Sequence, residues 1–210
     1  MDILSHILEH KIVAIIRGIE PVNVPAIIQA LLEGGIKTVE ITLNSENAFE
    51  LIHELSAKMG DNILIGAGTV LDVQSGEIAI ACGARFIVSP SLNPVLIKSA
   101  KQKKIVSIPG AFTATEILTA YNAGADIVKV FPALSPQYIK DLRGPLSHIP
   151  LMPTGGVSIE NINEFKKVGV AAFGIGSSLV GTNQQITGDS LKKLTEKASQ
   201  FILAVNNNQD

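Results

Sequence analysis

Short apolar runs rich in β-branched residues recur along the 210-residue chain. Eight of them begin at positions 11, 38, 62, 85, 105, 126, 149 and 171, so successive starts are 20 to 27 residues apart. Helical patterns fill the intervals, and several end in a glycine just before the next run. Near-continuous apolar strands that alternate with helices are typical of a parallel sheet covered on both faces, and eight units close a (β/α)8 barrel. The pattern predicts an α/β TIM barrel, with a doubly wound open sheet as the competing fold.

The two ends of the chain have helical patterns. Residues 1–10 predict an extra N-terminal helix that plugs the bottom of the barrel, and residues 189–205 predict the last outer helix. No linker or low-complexity segment interrupts the pattern, which indicates one domain over residues 1–210. Four strands run into a proline, which has no N–H for the strand ladder: Pro90, Pro109, Pro132 and Pro153. These strand ends form the carboxyl rim, where barrel enzymes carry their chemistry.

Composition narrows the classes of partner. The chain has a formal net charge of -2, a pI near 6.1 and 46% hydrophobic residues, with no block of basic residues. We therefore expect no nucleic-acid partner and no membrane partner. The single cysteine, Cys82, lies in an apolar helical pattern that suits a reduced thiol, and the N-terminus lacks the basic region and continuous apolar core of a signal peptide. A cytoplasmic location is the expectation.

Three charged residues interrupt the apolar strands, each at or near a carboxyl end. Side-chain alternation in "DIVKVF" places Lys129 inward with Ile127 and Phe131, and the same parity places Glu40 and Arg17 inward on their own strands. Charges among aliphatic side chains are costly unless they compensate one another or serve a ligand. One interpretation is therefore a buried ion pair between Lys129 and Glu40 that fixes the strand register.

A functional interpretation uses the same physics. Desolvation and the guanidinium of Arg17 disfavour the ammonium form of Lys129 and leave a neutral amine, which is a nucleophile toward a ketone. The iminium that results withdraws electrons and permits cleavage of a carbon–carbon bond. This chemistry needs a proton carrier, and Glu40, its pKa raised by burial, is the one inward carboxylate near the rim.

Glycine-rich loops follow the last two predicted strands. The stretches "TGGVS" (154–158) and "GIGSSL" (174–179) match the phosphate site of TIM barrels, where backbone N–H groups approach the anion closely. They predict a phosphate monoester as ligand. A third loop, "GAGTV" (66–70), is either a rim loop with the Thr69 hydroxyl facing a ligand or a plain turn. None of the four histidines falls on the rim, which argues against a metal-dependent aldolase or epimerase.

With these features the chain resembles the bacterial 2-dehydro-3-deoxy-6-phosphogluconate (KDPG) aldolases, also described as 4-hydroxy-2-oxoglutarate aldolases. The matching motifs span nearly the whole length: "IVAIIRG", "VEITL", "IGAGTVLD", "FIVSPSLNP", "IPGAFTATE", "VKVFPA", "MPTGGV" and "GIGSSL". The resemblance implies a class I aldolase in which Lys129 forms the Schiff base and Glu40 is the general acid/base, acting through water. It also implies a homotrimer that uses no metal or other cofactor.

The resemblance further implies which residues contact a small 2-keto acid phosphate. These are a phosphate-binding set and a set that lines the pyruvyl end of the substrate: Gly155, Gly156, Gly176 and Ser177 for the first, and Thr69, Pro90 and Phe131 for the second. One position departs from the family pattern, because the motif "LRT" is replaced here by "LNS", with Asn44 where the arginine serves the substrate carboxylate. Arg17 then supplies the guanidinium, and with Thr69 it holds the carboxylate.

The resemblance implies KDPG as the preferred substrate, cleaved reversibly to pyruvate and D-glyceraldehyde 3-phosphate, with 4-hydroxy-2-oxoglutarate as a further expected substrate. Thr42 and Thr154 resemble this gluconate branch of the family. The alternative is the epimer 2-dehydro-3-deoxy-6-phosphogalactonate, because "RG" after the first strand together with "LNS" is similar to the galactonate branch. Two rival functions are a phosphosugar isomerase or epimerase that uses Glu40 as its base, and a phosphate-ester binding protein without catalysis.

Overall fold

A computed structural model describes residues 2–60, 62–181 and 185–207 of the chain. Parallel strands alternate with helices through these residues. The strands are β1 (Ile12–Ile16), β2 (Thr38–Thr42), β3 (Leu64–Gly68), β4 (Phe86–Val88), β5 (Val106–Ile108), β6 (Gly110–Ala111), β7 (Val128–Val130), β8 (Leu151–Pro153) and β9 (Phe173–Ile175). The helices are α1 (Ile3–His10), α2 (Val24–Glu33), α3 (Ala48–Met59), α4 (Val73–Ala81), α5 (Pro94–Gln102), α6 (Ala114–Asn122), α7 (Pro136–Arg143), α8 (Ile162–Lys167) and α9 (Gly188–Asn206).

The predicted closed eight-stranded barrel is wrong. Each of the eight predicted runs contains a strand, but the strands pair into a curled six-stranded parallel half-barrel in the order β5-β4-β3-β2-β1-β9 and a separate three-stranded parallel sheet, β6-β7-β8. The fifth run is divided because Pro109 has no N–H to continue the ladder, so β5 pairs with β4 while β6 pairs with β7. At the other junction a single bridge, Thr154 with Gly174, joins β8 to β9. The parallel α/β character of the prediction is confirmed.

The two sheets enclose a common apolar interior. Inward side chains from both sheets form one buried cluster with Ile7 of α1, which is 1% exposed: Val13, Leu64, Phe86, Val88, Val106, Ile108, Ile127, Met152 and Ala172. Helix α1 begins where the Asp2 carboxylate accepts a hydrogen bond of 3.0 Å from the backbone N–H of Ser5. The predicted N-terminal helix is thus present over Ile3–His10 and covers the amino ends of the strands; Met1 lies outside the described residues.

A second and larger apolar cluster lies between the outer faces of the strands and the helices. It includes Ile16, Ile41, Val128 and Val130 from the strands and Phe201 from α9, all at most 1% exposed. Helix α9 confirms the predicted last outer helix. Over the stretches 2–60, 62–181 and 185–207, every helix is too short or too polar to cross a membrane.

The strand register sets the height of the inward charges. Glu40 lies level with Ile15 of β1 and Gly66 of β3, and Lys129 lies level with Gly110 of β6 and Met152 of β8. Both charged residues are central in their strands, and Met152 of the apolar interior cluster lies level with Lys129. The fold places these two charges at the middle of the strands.

Candidate active site

A cavity of about 590 Å³ opens at the carboxyl ends of β1, β7, β8 and β9. Its volume is in the range of pockets that hold small metabolites. Eight of the predicted site residues line it: Arg17, Lys129, Phe131, Thr154, Gly155, Gly156, Gly176 and Ser177. Three predicted residues do not: Glu40, Thr69 and Pro90. The cavity therefore brings the predicted lysine and both predicted glycine loops together.

Lys129 is the central residue of the short strand β7. Its neighbours Val128 and Val130 are fully buried against the helices, so alternation turns the lysine to the interior. The lysine is only 3% exposed and still lines the cavity, with Nζ 5.2 Å from the centroid of the Phe131 ring. Phe131 itself is 42% exposed at the cavity mouth. A nearly dry amine therefore faces a cavity that a ligand can enter.

Glu40 is fully buried in β2 and does not line this cavity. Neither of its carboxylate oxygens accepts a hydrogen bond from the described residues. Burial raises the pKa of the Glu40 carboxyl above its ordinary value, and the positive charges of Lys129 and Arg17 oppose this rise less strongly. A carboxyl with a raised pKa is suited to carry protons as a general acid or base.

The interpretation of Lys129 and Glu40 as a structural ion pair is wrong for this geometry. Within the described part of the chain, the ion pairs with an N···O distance of 4.0 Å or less join other, exposed residues, Lys58 with Glu54 and Lys103 with Glu77. Lys129 and Glu40 interact through their charges without a direct hydrogen bond. The strand register is therefore held by backbone ladders and apolar packing.

Arg17 follows β1 and extends over the rim. Its Nη2 donates a hydrogen bond of 3.1 Å to the Thr69 hydroxyl, in the loop after β3. Thr69 has a φ of 55°, which a non-glycine residue adopts rarely and which turns the chain immediately after the strand. Asn44, which stands where the family carries arginine, is exposed. The guanidinium nearest to the cavity is therefore that of Arg17.

The loop after β8 contains the two predicted glycines in left-handed backbone conformations, with φ of 73° at Gly155 and 87° at Gly156. A Cβ on Gly156 would lie 2.9 Å from the carbonyl oxygen of Ala133. Residues with a side chain rarely adopt these angles, so glycine is needed for the path of this loop. The loop lines the cavity with its backbone.

The loop after β9 forms a single helical turn. The backbone N–H groups of Leu179 and Val180 donate to the carbonyl oxygen of Gly176, at 2.8 and 2.9 Å. The exposed Ser177 lines the cavity within this turn, and the Ser178 hydroxyl donates 2.6 Å to the carbonyl oxygen of Val157 in the neighbouring loop. The two glycine loops are thus joined to each other beside one cavity.

The prediction from sequence missed the cavity residues Ile15 and Val180, and it included Val157, Ser158, Gly174 and Ser178 only as members of the two glycine loops. The alternation that placed Arg17 inward also marks Ile15, whereas nothing in the sequence distinguishes Ser178 from Ser177. Pro90 lies after β4, half-buried, with its backbone packed against Gly110.

Over residues 2–60, 62–181 and 185–207, no three His, Cys, Asp or Glu side chains come close enough together to hold a metal ion.

Comparison with known proteins agrees with this geometry. The family model described as KDPG and KHG aldolase matches residues 3–196. The chain belongs to this aldolase family. It is therefore an enzyme of the carbon–carbon lyase class, and the resemblance predicted from the motifs is confirmed.

Three relatives within the aldolase family carry two different substrate names. A probable 2-dehydro-3-deoxy-6-phosphogalactonate aldolase of Rhizobium meliloti is 40% identical over 82% of this chain and 82% of its own length. The 2-dehydro-3-deoxy-6-phosphogalactonate aldolase of Escherichia coli is 37% identical over 92% of this chain and 93% of its own. The 2-dehydro-3-deoxy-phosphogluconate aldolase of Dickeya dadantii is 35% identical over 77% of this chain and 76% of its own.

Solved structures of aldolases have the same fold. A structure described as native KDPGal superposes with a TM-score of 0.85, is 36% identical, and covers 92% of this chain and 93% of its own. The KDPG aldolase of Legionella pneumophila, with pyruvate captured at low pH as a covalent carbinolamine intermediate, has a TM-score of 0.81 and is 26% identical. The Legionella structure covers 93% of this chain and 96% of its own.

Proposed function

We propose that this aldolase cleaves a 2-keto-3-deoxy sugar acid 6-phosphate into pyruvate and D-glyceraldehyde 3-phosphate through a Schiff base on Lys129. The observation that carries the proposal is the placement of Lys129, 3% exposed in the sheet interior and lining the cavity, where its charge acts on the buried Glu40 carboxyl. An amine in this position can reach the keto carbon of a substrate in the cavity. Support also comes from the Legionella relative, whose pyruvate was captured as a carbinolamine.

The bond changes follow from an amine and one proton carrier. The Lys129 nitrogen adds to the C2 carbonyl to give a carbinolamine, which loses water to form an iminium. Glu40, acting through water, removes the proton of the C4 hydroxyl; the C3–C4 bond breaks, its electrons pass into the iminium as an enamine, and the aldehyde leaves. A proton returned to C3 regenerates the iminium, and water hydrolyses it to pyruvate and the free lysine.

The remaining proposed contacts orient the substrate at its two ends. Arg17, with its guanidinium hydrogen-bonded to Thr69, holds the carboxylate next to the reacting carbonyl. The backbone of Gly155, Gly156 and Gly176 and the hydroxyl of Ser177 hold the phosphate at the opposite side of the cavity. Phe131 and Pro90 bound the pyruvyl end, with Phe131 beside the lysine.

Trapping with borohydride tests the covalent step. Incubation with pyruvate and borohydride should reduce the imine to a secondary amine and add one 1-carboxyethyl group, which peptide mass spectrometry should locate at Lys129. Lys129→Ala should not be labelled, whereas Lys140→Ala, which changes an exposed lysine of α7, should be labelled as the parent is. An unlabelled Lys129 in the active parent enzyme would contradict the proposal and favour the isomerase or epimerase alternative.

We infer that KDPG is the preferred epimer. Thr154 supports this choice, since it lies 3% exposed in the cavity wall and resembles the gluconate branch. The galactonate epimer is the second candidate, favoured by Asn44, by Arg17 and by the identity with relatives named for that substrate. Coupled assays of pyruvate release from both epimers and from 4-hydroxy-2-oxoglutarate should give the highest kcat/KM with KDPG. A higher kcat/KM with the galactonate epimer would assign the enzyme to that branch instead.

The same resemblance leads us to propose a cytoplasmic homotrimer. Light scattering after gel filtration should then give three times the 22.2 kDa of one chain. A monomer at micromolar concentration would contradict this assembly.

A further inference from the structure

The buried carboxyl of Glu40 has an unusual support. Its two oxygens accept no hydrogen bond from the residues that the structure describes, so hydrogen bonds from the protein do not set its orientation. A Cβ built on Gly68 would lie 2.6 Å from Glu40 Oε1, 2.8 Å from Glu40 Cδ and 3.2 Å from Thr42 Cγ2. The carboxyl group occupies the volume that any other residue at position 68 would fill.

We propose that Gly68 is a positioning residue, whose missing side chain provides the space in which the Glu40 carboxyl is held for catalysis. This inference rests on the proposed role of Glu40 as the proton carrier. No φ between +20° and +160° occurs at Gly68, unlike at Gly155 and Gly156, so the backbone there accepts any residue. The path of the chain does not require glycine at position 68; the space taken by the carboxyl does.

The surrounding backbone is held in place, so the side chain must yield to an added methyl group. Gly68 ends β3 level with Thr42 of β2, and its carbonyl oxygen accepts a hydrogen bond of 2.8 Å from the Leu43 N–H. The atoms that the methyl group would meet are the far end of the flexible Glu40 side chain. Moving that end disturbs the fold little, but a displacement of about 1 Å at a catalytic group can reduce the rate roughly a hundredfold.

Gly66 provides a matched control in the same strand. Its Cβ would lie 2.5 Å from Cε1 and Cζ of Phe86, which is fully buried in the apolar interior cluster. Gly66 also lacks a left-handed φ, so Gly66→Ala adds the same methyl group two residues away, where the atoms nearest to the new Cβ belong to the Phe86 ring. The control disturbs packing, and Gly68→Ala disturbs the proton carrier.

The two variants should separate in steady-state kinetics. Gly68→Ala should lower kcat by roughly tenfold to a hundredfold, with KM changed less than about threefold and the urea midpoint close to that of the parent. Gly66→Ala should lower the urea midpoint clearly below that of the parent, whereas its kcat should fall much less than the kcat of Gly68→Ala. A Gly68→Ala variant with the parent's kcat would overturn the inference. Borohydride labelling of Lys129 in the parent distinguishes failure of this inference from failure of the proposed function. A parent that is not labelled overturns the proposed function. If the parent is labelled, the kinetics of Gly68→Ala test only the role of Gly68.

A double-variant cycle with Glu40→Asp tests the steric mechanism directly. The shorter aspartate side chain moves the carboxyl away from the space that a Cβ at position 68 would fill. The factor by which Gly68→Ala lowers kcat should therefore be at least about fivefold smaller in the Glu40→Asp background than in the parent. Equal costs in both backgrounds would overturn the inference. If Gly68→Ala alone does not fold, the double variant Gly68→Ala with Glu40→Asp should fold. If neither variant folds, the added methyl group clashes with something other than the Glu40 carboxyl, and the inference is overturned.

Discussion

At the scale of single residues, the candidate site keeps two ionisable side chains buried without pairing them to each other. Glu40 is fully buried and Lys129 is 3% exposed, yet no ion pair joins them among the described residues. A buried charged group without a partner lowers the free energy of unfolding, and proteins contain such groups mainly at functional sites. The electrostatic state of Glu40 should therefore be visible in the stability of the protein.

The pH dependence of stability follows from the direction of the Glu40 shift. Desolvation raises the pKa of the folded Glu40 carboxyl above its ordinary value of 4.5, at which the unfolded chain titrates. Above pH 4.5 the folded state holds this proton longer than the unfolded state does. The Glu40 contribution to the free energy of unfolding is thus complete below pH 4.5 and is lost as pH rises through the folded pKa.

Replacing the carboxyl should remove this loss. Urea unfolding of Glu40→Gln and of the parent, measured from pH 4 to pH 8, should show the variant gaining stability relative to the parent as pH rises. Glu50→Gln, which changes an exposed carboxylate of α3, is the control. A stability difference that is independent of pH would contradict the buried, titrating carboxyl. At pH 7 the kcat of Glu40→Gln should fall by about 10² to 10⁴, as expected for a lost general acid/base.

The sequence predicts the orientation of a side chain correctly where alternation along a strand decides it. The apolar neighbours of Lys129 fixed its inward direction, and the same parity applied to Glu40. Thr69 and Pro90 are not among the residues that line the cavity, and the course of the loops after β3 and β4, on which their positions depend, has no signature in the alternation. The space that Gly68 leaves for Glu40 is a contact between strands, and no local pattern in the sequence records it.

At the scale of elements, the side chains of Asn161 and Ser178 hold the proposed phosphate site together. Asn161 Nδ2 donates 2.7 Å to the Gly156 carbonyl oxygen, and Asn161 Oδ1 accepts 2.8 Å from the Ser158 N–H. The Ser178 hydroxyl then joins the turn after β9 to Val157 in the loop after β8. Two separate attachments therefore fix a loop whose glycines would otherwise leave it many conformations.

Loss of the Ser178 attachment should weaken recognition of the phosphate selectively. A neutral hydrogen bond contributes about 0.5–1.5 kcal/mol, so Ser178→Ala should raise the KM for the phosphorylated substrate by roughly twofold to tenfold. The KM for 4-hydroxy-2-oxoglutarate should stay the same, because that substrate has no phosphate for the loops to bind. Ser199→Ala, which removes a hydroxyl bonded to the Thr195 carbonyl within α9, should change neither KM. An equal rise for both substrates would contradict the phosphate assignment.

Element positions could be predicted from the sequence, but sheet closure could not. The eight apolar runs match strands because burial on both faces leaves a local signature. Whether the strands join into one ladder depends on backbone contacts between β5 and β7 and between β8 and β9. Pro109 interrupts the first junction and a lone bridge, Thr154 with Gly174, forms the second. A regular repeat length favours a barrel without determining these hydrogen bonds.

At the scale of the whole molecule, the interior has an apolar part and a reactive part. The apolar part is filled by aliphatic side chains, Phe86 and Met152, and it includes Ile7 of α1. The reactive part holds Lys129 and the cavity at the carboxyl ends of the strands. Ile7 lies in α1, before the first strand, and is therefore remote in the chain from the residues that line the cavity. This separation should allow stability to change without a change in activity.

Truncating the apolar cover of α1 tests this separation. Ile7 is 1% exposed, so Ile7→Ala leaves a cavity and should lower the free energy of unfolding by about 2–5 kcal/mol in urea. Far below the unfolding midpoint, kcat and KM should remain within about twofold of the parent, since the cavity opens away from the carboxyl rim. Leu203→Ala, at a side chain 58% exposed on α9, should change stability by less than about 0.5 kcal/mol. A large loss of kcat in folded Ile7→Ala would show that the apolar part does position Glu40 or Lys129, and that stability and catalysis in this enzyme are not separable.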